Sequence, residues 1–414
     1  MSQPPAVSSD RDADLVNVFV RWSALQSGLA RGYWLVASLY LVLDAGLTPT
    51  QLVLIGVAQG FASLIFEVPT GVVADTVSRK LSLVISCVLI GLSMAATGLT
   101  TAFPLLVVTQ MLWGVAWTFT SGADVAWITD ELSRPDLART ALTAQARWKL
   151  GGAALGMLAL GALATAIGRS PTLVAAGVAM ALLGLTVATG FSERGFKPTR
   201  TRPWRRAWTI LNRGVALARR DTELMLIFAA TFLINGAADA FERLHVRQLV
   251  ALGFPDRPDP LVWFTALGVL AYASGAVALR IIEVHLDGVG AMRRIYVAAC
   301  GVGVVGVLLV GLAPDAVLGS AGVLLVTGIA WTVTRAVGAI WVNARATSDI
   351  RATVQSFLAQ VEYFGEIGCG AVLAGLAQST SLAVTFVAAA ALVAAAGLAA
   401  ARSSGAGTAT ETGP

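Results

Sequence analysis

Residues 51–100 read QLVLIGVAQGFASLIFEVPTGVVADTVSRKLSLVISCVLIGLSMAATGLT. Two apolar runs, 51–74 and 82–100, flank a short polar segment that holds Asp75, Arg79 and Lys80. A helix needs about 20 mostly apolar residues to cross a bilayer, and each run is of that order. Lipid offers no partner for open backbone groups, so such runs must be helical. The stretch predicts two membrane-spanning helices joined by a charged turn in water.

Working outward, similar runs lie at 18–44, 104–127, 141–166 and 172–192, then at 223–246, 261–283, 295–313, 318–342, 354–376 and 382–401. The expected fold class is therefore an all-α integral membrane protein of about twelve transmembrane helices. Turn-forming clusters separate the runs, among them Gly46-Leu47-Thr48-Pro49, Gly168-Arg169-Ser170-Pro171 and Pro255-Asp256-Arg257-Pro258. Composition agrees. The chain is 56% hydrophobic and 13% charged, with a mean hydropathy of +0.75, whereas a soluble domain carries about 25% charged residues. Its 42 glycines suit helices that approach closely in lipid. Cys87, Cys300 and Cys369 all fall in apolar runs, which argues against a disulfide framework.

Charge sets the expected orientation. With the N-terminus inside, nineteen of the 29 basic residues lie in cytoplasmic segments and only Arg169, Arg247 and Arg257 lie outside. The net charge of +5 follows this pattern, so no nucleic-acid partner is expected. The first sixteen residues show no cleavable leader pattern, so an uncleaved, cytoplasmic N-terminus is expected. Arginine supplies all but three of the basic residues, Lys80, Lys149 and Lys197 being the exceptions. That usage points to a GC-rich bacterial genome, and the expected location is a bacterial plasma membrane.

The domains read as a 1–17 tail, an 18–192 bundle, a 193–222 basic linker, a 223–401 bundle and a disordered 402–414 tail. Within the linker, Trp204, Trp208, Leu211 and Val215 recur at helical spacing, with Arg205, Arg206, Arg213 and Arg220 largely elsewhere around the helix. Such a segment would lie flat on anionic lipid headgroups. The halves show faint similarity. AGLTPTQLVLIGVAQG (45–60) parallels LGFPDRPDPLVWFTALG (252–268), and DLARTAL (136–142) parallels DIRATVQ (349–355). Repeated halves are how many secondary transporters are built.

The segment GVVADTVSRK places Gly71, Asp75, Arg79 and Lys80 in the order Gly-x-x-x-Asp-x-x-x-Arg-Lys. With twelve spans in two halves, this resembles the signature loop of the major facilitator superfamily, and FEVPTG and GADVAWITDEL look like its bacterial drug-efflux branch. The resemblance implies two pseudo-symmetric six-helix bundles and a gating role for the loop. Asp75 is placed to cap a helix N-terminus, and Arg79 to pair with a carboxylate at the cytoplasmic end of the fourth span, for which Asp124 is the candidate. Surface pairs contribute about 0–1 kcal/mol, so such contacts bias a conformational equilibrium without locking it. The chain departs from the efflux pattern where Gln110 replaces an arginine and where GGAALGMLALG (151–161) lacks a Gly-Pro pair. Both departures bear on antiport rather than on the fold.

Charge at mid-bilayer costs about 2.5–3.5 kcal/mol on insertion scales, so intramembrane ionisable groups face a partner or a cavity. By the resemblance, the first, fourth, seventh and tenth spans line the path. This makes Arg31, Gln110, Trp113, Trp117, Asn235, Asp239, Trp331 and Arg335 the candidate substrate-binding residues. Glu362 and Glu366 are candidates for proton coupling, since burial favours the neutral form of a carboxyl group; the alternative is that one of them neutralises Arg335 or Arg147.

No catalytic constellation, cofactor or metal site is expected. GVGVVG (301–306) matches a dinucleotide fingerprint but lies inside an apolar run. His245 and His285 lie far apart in sequence. The expected function is export of a small amphipathic molecule by proton antiport, with a small-molecule substrate, protons and membrane lipids as partners and the chain acting as a monomer. Uptake of an organic anion is the alternative, and a polytopic enzyme or sensor a more distant one.

Overall fold

The computed structural model describes residues 7–132, 134–198, 209, 212–216, 219, 221–253, 257–286, 288–345 and 351–403. These residues are helical apart from turns and short connections. α1 spans Val7–Leu39 and continues as a π-helical turn, Tyr40–Asp44. α2 is Pro49–Thr76, α3 Arg79–Gly98, α4 Phe103–Thr118 and α5 Ala123–Leu132. α6 is Pro135–Ile167, α7 Arg169–Gly190 and α8 Thr222–Ala251. α9 is Pro260–Glu283, α10 Gly288–Leu312 and α11 Ala316–Val323, which passes through a π-helical stretch at Leu324–Ala330 into α12, Trp331–Arg345. α13 is Arg351–Ser379 and α14 Leu382–Ala401.

All twelve apolar runs are helical. The described helices include ten segments long and apolar enough to cross a membrane. α1 and α13 fall outside that set although both are long. Each dilutes its apolar surface with polar groups: Arg21, Gln26 and Arg31 in α1, and Gln355, Gln360, Glu362 and Glu366 in α13. The fourth span is two helices, because Gly122 takes a φ of 75° and interrupts the rod between α4 and α5. α1 starts well before residue 18, and its polar extension sends Arg11 to Glu131 at 3.5 Å. Of the linker residues singled out in the sequence, Trp204, Arg205, Arg206, Trp208, Leu211 and Arg220 lie outside the described residues.

The chain forms two compact units. The first comprises the described parts of 1–47, 58–206 and 256–268, and the second those of 48–57, 207–255 and 269–414. The opening turns of α2 thus belong to the second unit and those of α9 to the first. These are the two segments whose sequences are alike. Inside the first unit, α1 packs chiefly on α6 and α3 on α7. Backbones meet there: a Cβ on Gly28 would lie 2.7 Å from the Gly152 carbonyl oxygen, and one on Gly91 2.5 Å from that of Gly177. In the second unit α10 packs on α14, and α8 on α13 and α14, with Gly236 facing the Gly365 carbonyl oxygen. Small residues allow such approach where lipid supplies no hydrophobic drive between helices.

Candidate functional site

The signature loop is held by its neighbours in the first unit. Ser78 caps α3, accepting from the Leu81 amide at 2.9 Å. Its hydroxyl donates to Glu193 at 2.6 Å, and the Lys80 amide donates to the same carboxylate at 2.9 Å. Arg79 donates to the Ala126 carbonyl at 2.8 Å and pairs with Asp130. The expected Arg79–Asp124 pair is not formed. Asp124 lies in the first turn of α5, where it accepts from the Val125 amide at 2.8 Å, from Gln145 at 3.0 Å and from Lys149 at 3.3 Å. The interruption at Gly122 resets the phase of α5, and six residues at 3.6 per turn carry Asp130 to another face. Gly71 has open space around it, so no close approach demands a glycine there. Asp75 is half-buried near the end of α2.

Glu131 was not singled out in the sequence, yet it is the most heavily used carboxylate of this region. Its side chain is 1% exposed. It accepts from the Ser192 hydroxyl and from the Arg194 and Gly195 amides, each at 2.6 Å. Trp127 adds an indole hydrogen bond to the Ser192 carbonyl at 2.7 Å. Together they fasten the chain leaving α7 to α5.

Deeper in the first unit, Gln110 is 0% exposed. Its amide donates to Tyr33 and Thr97, both at 3.1 Å, while its own oxygen has no hydrogen-bond partner. Trp113 stacks on Tyr33 with ring centroids 4.9 Å apart and meets Trp34 edge-on at 5.2 Å. One turn along, Trp117 is 44% exposed, and Arg31 is exposed on α1. The structure therefore gathers Gln110 and Trp113 into a buried aromatic layer and leaves Trp117 and Arg31 outside it.

The second unit collects charge. Asp239 and Arg243 pair along α8 at 3.0 and 3.1 Å. Arg243 was missed in the sequence, where only its four-residue spacing from Asp239 signalled it. Glu366 on α13 feels the charges of Asp239, Arg243, Glu362 and Arg335, and Glu362 feels Arg335. Among the described residues, Arg335, Glu362 and Glu366 form no hydrogen bond or ion pair. Arg335 is exposed and both glutamates are half-buried. Trp331, one turn before Arg335, is buried with its indole nitrogen unpaired. Asn235 donates to the Thr231 carbonyl at 2.9 Å, and Glu242 is exposed.

A sequence profile of the Major Facilitator Superfamily matches residues 22–368, most of the 414-residue chain. No curated protein sequence matches significantly. In fold the chain is similar to the nucleoside transporter NupG, at 15% identity and a TM-score of 0.77, over 94% of this chain and 98% of that one. It is also similar to the POT family transporter PepTSo (12%, TM-score 0.74, 94% and 97%). A third similar structure is a bacterial homolog to the human lysosomal transporter Spinster (13%, TM-score 0.67, 96% and 96%). At such identities the likeness is one of fold, whereas the profile match extends across most of the sequence. The chain belongs to the Major Facilitator Superfamily and is a multi-pass integral membrane protein of that transporter family.

Proposed function

We propose that the chain is a secondary active transporter that works by alternating access and exports a small amphipathic molecule in exchange for protons. The observation that carries this reading is the state of Glu362 and Glu366. Two acids on a membrane helix lack any hydrogen bond or ion pair among the described residues, yet both lie within the field of Arg335, and Glu366 also within that of the Asp239–Arg243 pair. Charge in a span is costly unless it is used. An acid that can be neutral in one step and charged in the next supplies coupling, and one charge moved across 100 mV is worth about 2.3 kcal/mol.

Half-buried Trp34 and exposed Trp117 supply flat apolar surface, with buried Tyr33 and Trp113 packed behind Trp34, as small-molecule sites require. Arg79, Lys80 and Asp75 form the gating loop, with Asp130 as the partner of Arg79. The proposed setting is a bacterial inner membrane with both termini inside and the chain acting alone. The similar structures are described as carriers of different types, so the fold leaves the cargo open. A second reading, uptake of an organic anion, is favoured by Arg335, an exposed cation on a membrane helix with no partner among the described residues.

The test is a panel of amphipathic cations and organic anions offered to everted vesicles, with and without a proton gradient. Proton-driven accumulation of an amphipathic compound that collapses with an uncoupler is expected. Accumulation indifferent to the uncoupler would remove antiport, and saturable uptake of anions into right-side-out vesicles would favour the second reading.

A further inference from the structure

The backbone of α2 comes up against the Asp239–Arg243 pair. Gly56, in the opening turns of α2 that belong to the second unit, stands so close that a Cβ there would collide with Arg243 Nε and Asp239 Oδ2. The same turns run along α13. Val57 lies 3.0 Å from where a Cβ on Gly370 would be, one turn beyond Glu366, and Thr50 donates to the Ala374 carbonyl at 3.4 Å. This stretch of α2 is thus seated on α8 and α13 together, beside the acid whose charged neighbours are Asp239, Arg243, Glu362 and Arg335.

We propose that Gly56 is the positioning residue that seals this cluster: its bare backbone closes over the Asp239–Arg243 pair, so the seating of α2 governs when water reaches Glu366 and a proton exchanges. The inference rests on the proton role given to Glu366 above. Close packing excludes water only where no atom intervenes, and glycine alone lets a helix backbone approach an ion pair to this degree. A methyl group at residue 56 must displace either α2 or the guanidinium, and both disturb the seat of α2 on α8 and α13.

The test uses the full chain in proteoliposomes loaded with the pH dye pyranine, with an imposed pH step and no substrate. Gly56→Ala is expected to raise passive proton flux several-fold over wild type. Gly301→Ala makes the same chemical change at a position with nothing within 4 Å and is expected to stay tight. Adding Glu366→Gln to Gly56→Ala is expected to abolish the leak. Flux equal to wild type in Gly56→Ala, or a leak that survives Glu366→Gln, overturns the proposal. Should Gly56→Ala fail to fold, Asp239→Asn opens the same seat without added bulk and is read by the same two outcomes. Proton-driven transport that is lost in Glu366→Gln while Gly56→Ala stays tight sinks the seal alone. Transport untouched by Glu366→Gln sinks the coupling role beneath it.

Discussion

Charged groups around the end of α5 and charged groups on α13 live under opposite conditions. Around α5, Glu131 accepts three hydrogen bonds of 2.6 Å, Glu193 accepts two, and Arg79 is engaged by both Ala126 and Asp130. On α13, Glu362 and Glu366 touch no donor among the described residues, and Arg335 on α12 touches no acceptor. The first arrangement is what fastening requires, since each carboxylate is held by its donors in one geometry. The second leaves groups free to take a proton or a ligand, which fastening would prevent. On the proposed reading, the degree of pairing separates charges that hold the fold from charges that act.

The sharpest way to break that distinction is Glu131→Ala. It strips one hydroxyl and two backbone amides of their acceptor, and a buried donor left unmade costs about 1–3 kcal/mol. A loss of roughly 3 kcal/mol or more is therefore expected, read as a lower melting temperature in detergent. Glu366→Gln removes an acid that makes no bond among the described residues, so its melting temperature is expected to stay level or rise. A large loss there would show that α13 is fastened after all.

The Arg79 pair offers a smaller test. A double-mutant cycle between Arg79→Lys and Asp130→Asn is expected to show a coupling of about 1 kcal/mol. The same cycle with Asp124→Asn is expected to show none, because Asp124 is engaged by Lys149 and Gln145. Smallest in stability is Arg335→Ala, expected to change unfolding by about 0.5 kcal/mol or less while transport falls. A variant equally stable and fully active would remove Arg335 from the site.

Much of this was legible in the sequence. The twelve apolar runs mark the helices. The polar character of α1 and α13 places Arg31, Glu362 and Glu366 on the helices least suited to lipid. The partner of Arg79 was not legible, because helical spacing was carried through Gly122, where a φ of 75° ends one helix and starts another at a new phase. Glu131 was hidden because its donors lie past the end of α7, some sixty residues on in the chain. Gln110 and Trp113 read as lining groups by periodicity, and only packing shows that Tyr33, Trp34 and Thr97 enclose them.

The claim that the unfastened acids of α13 drive transport is tested most directly by splitting exchange from accumulation in Glu366→Gln. Proteoliposomes preloaded with a substrate found in the vesicle panel would be assayed for substrate counterflow and, separately, for accumulation driven by a proton gradient. Counterflow near the wild-type rate with gradient-driven accumulation gone is the expected result. Accumulation that persists at the wild-type level would contradict the account.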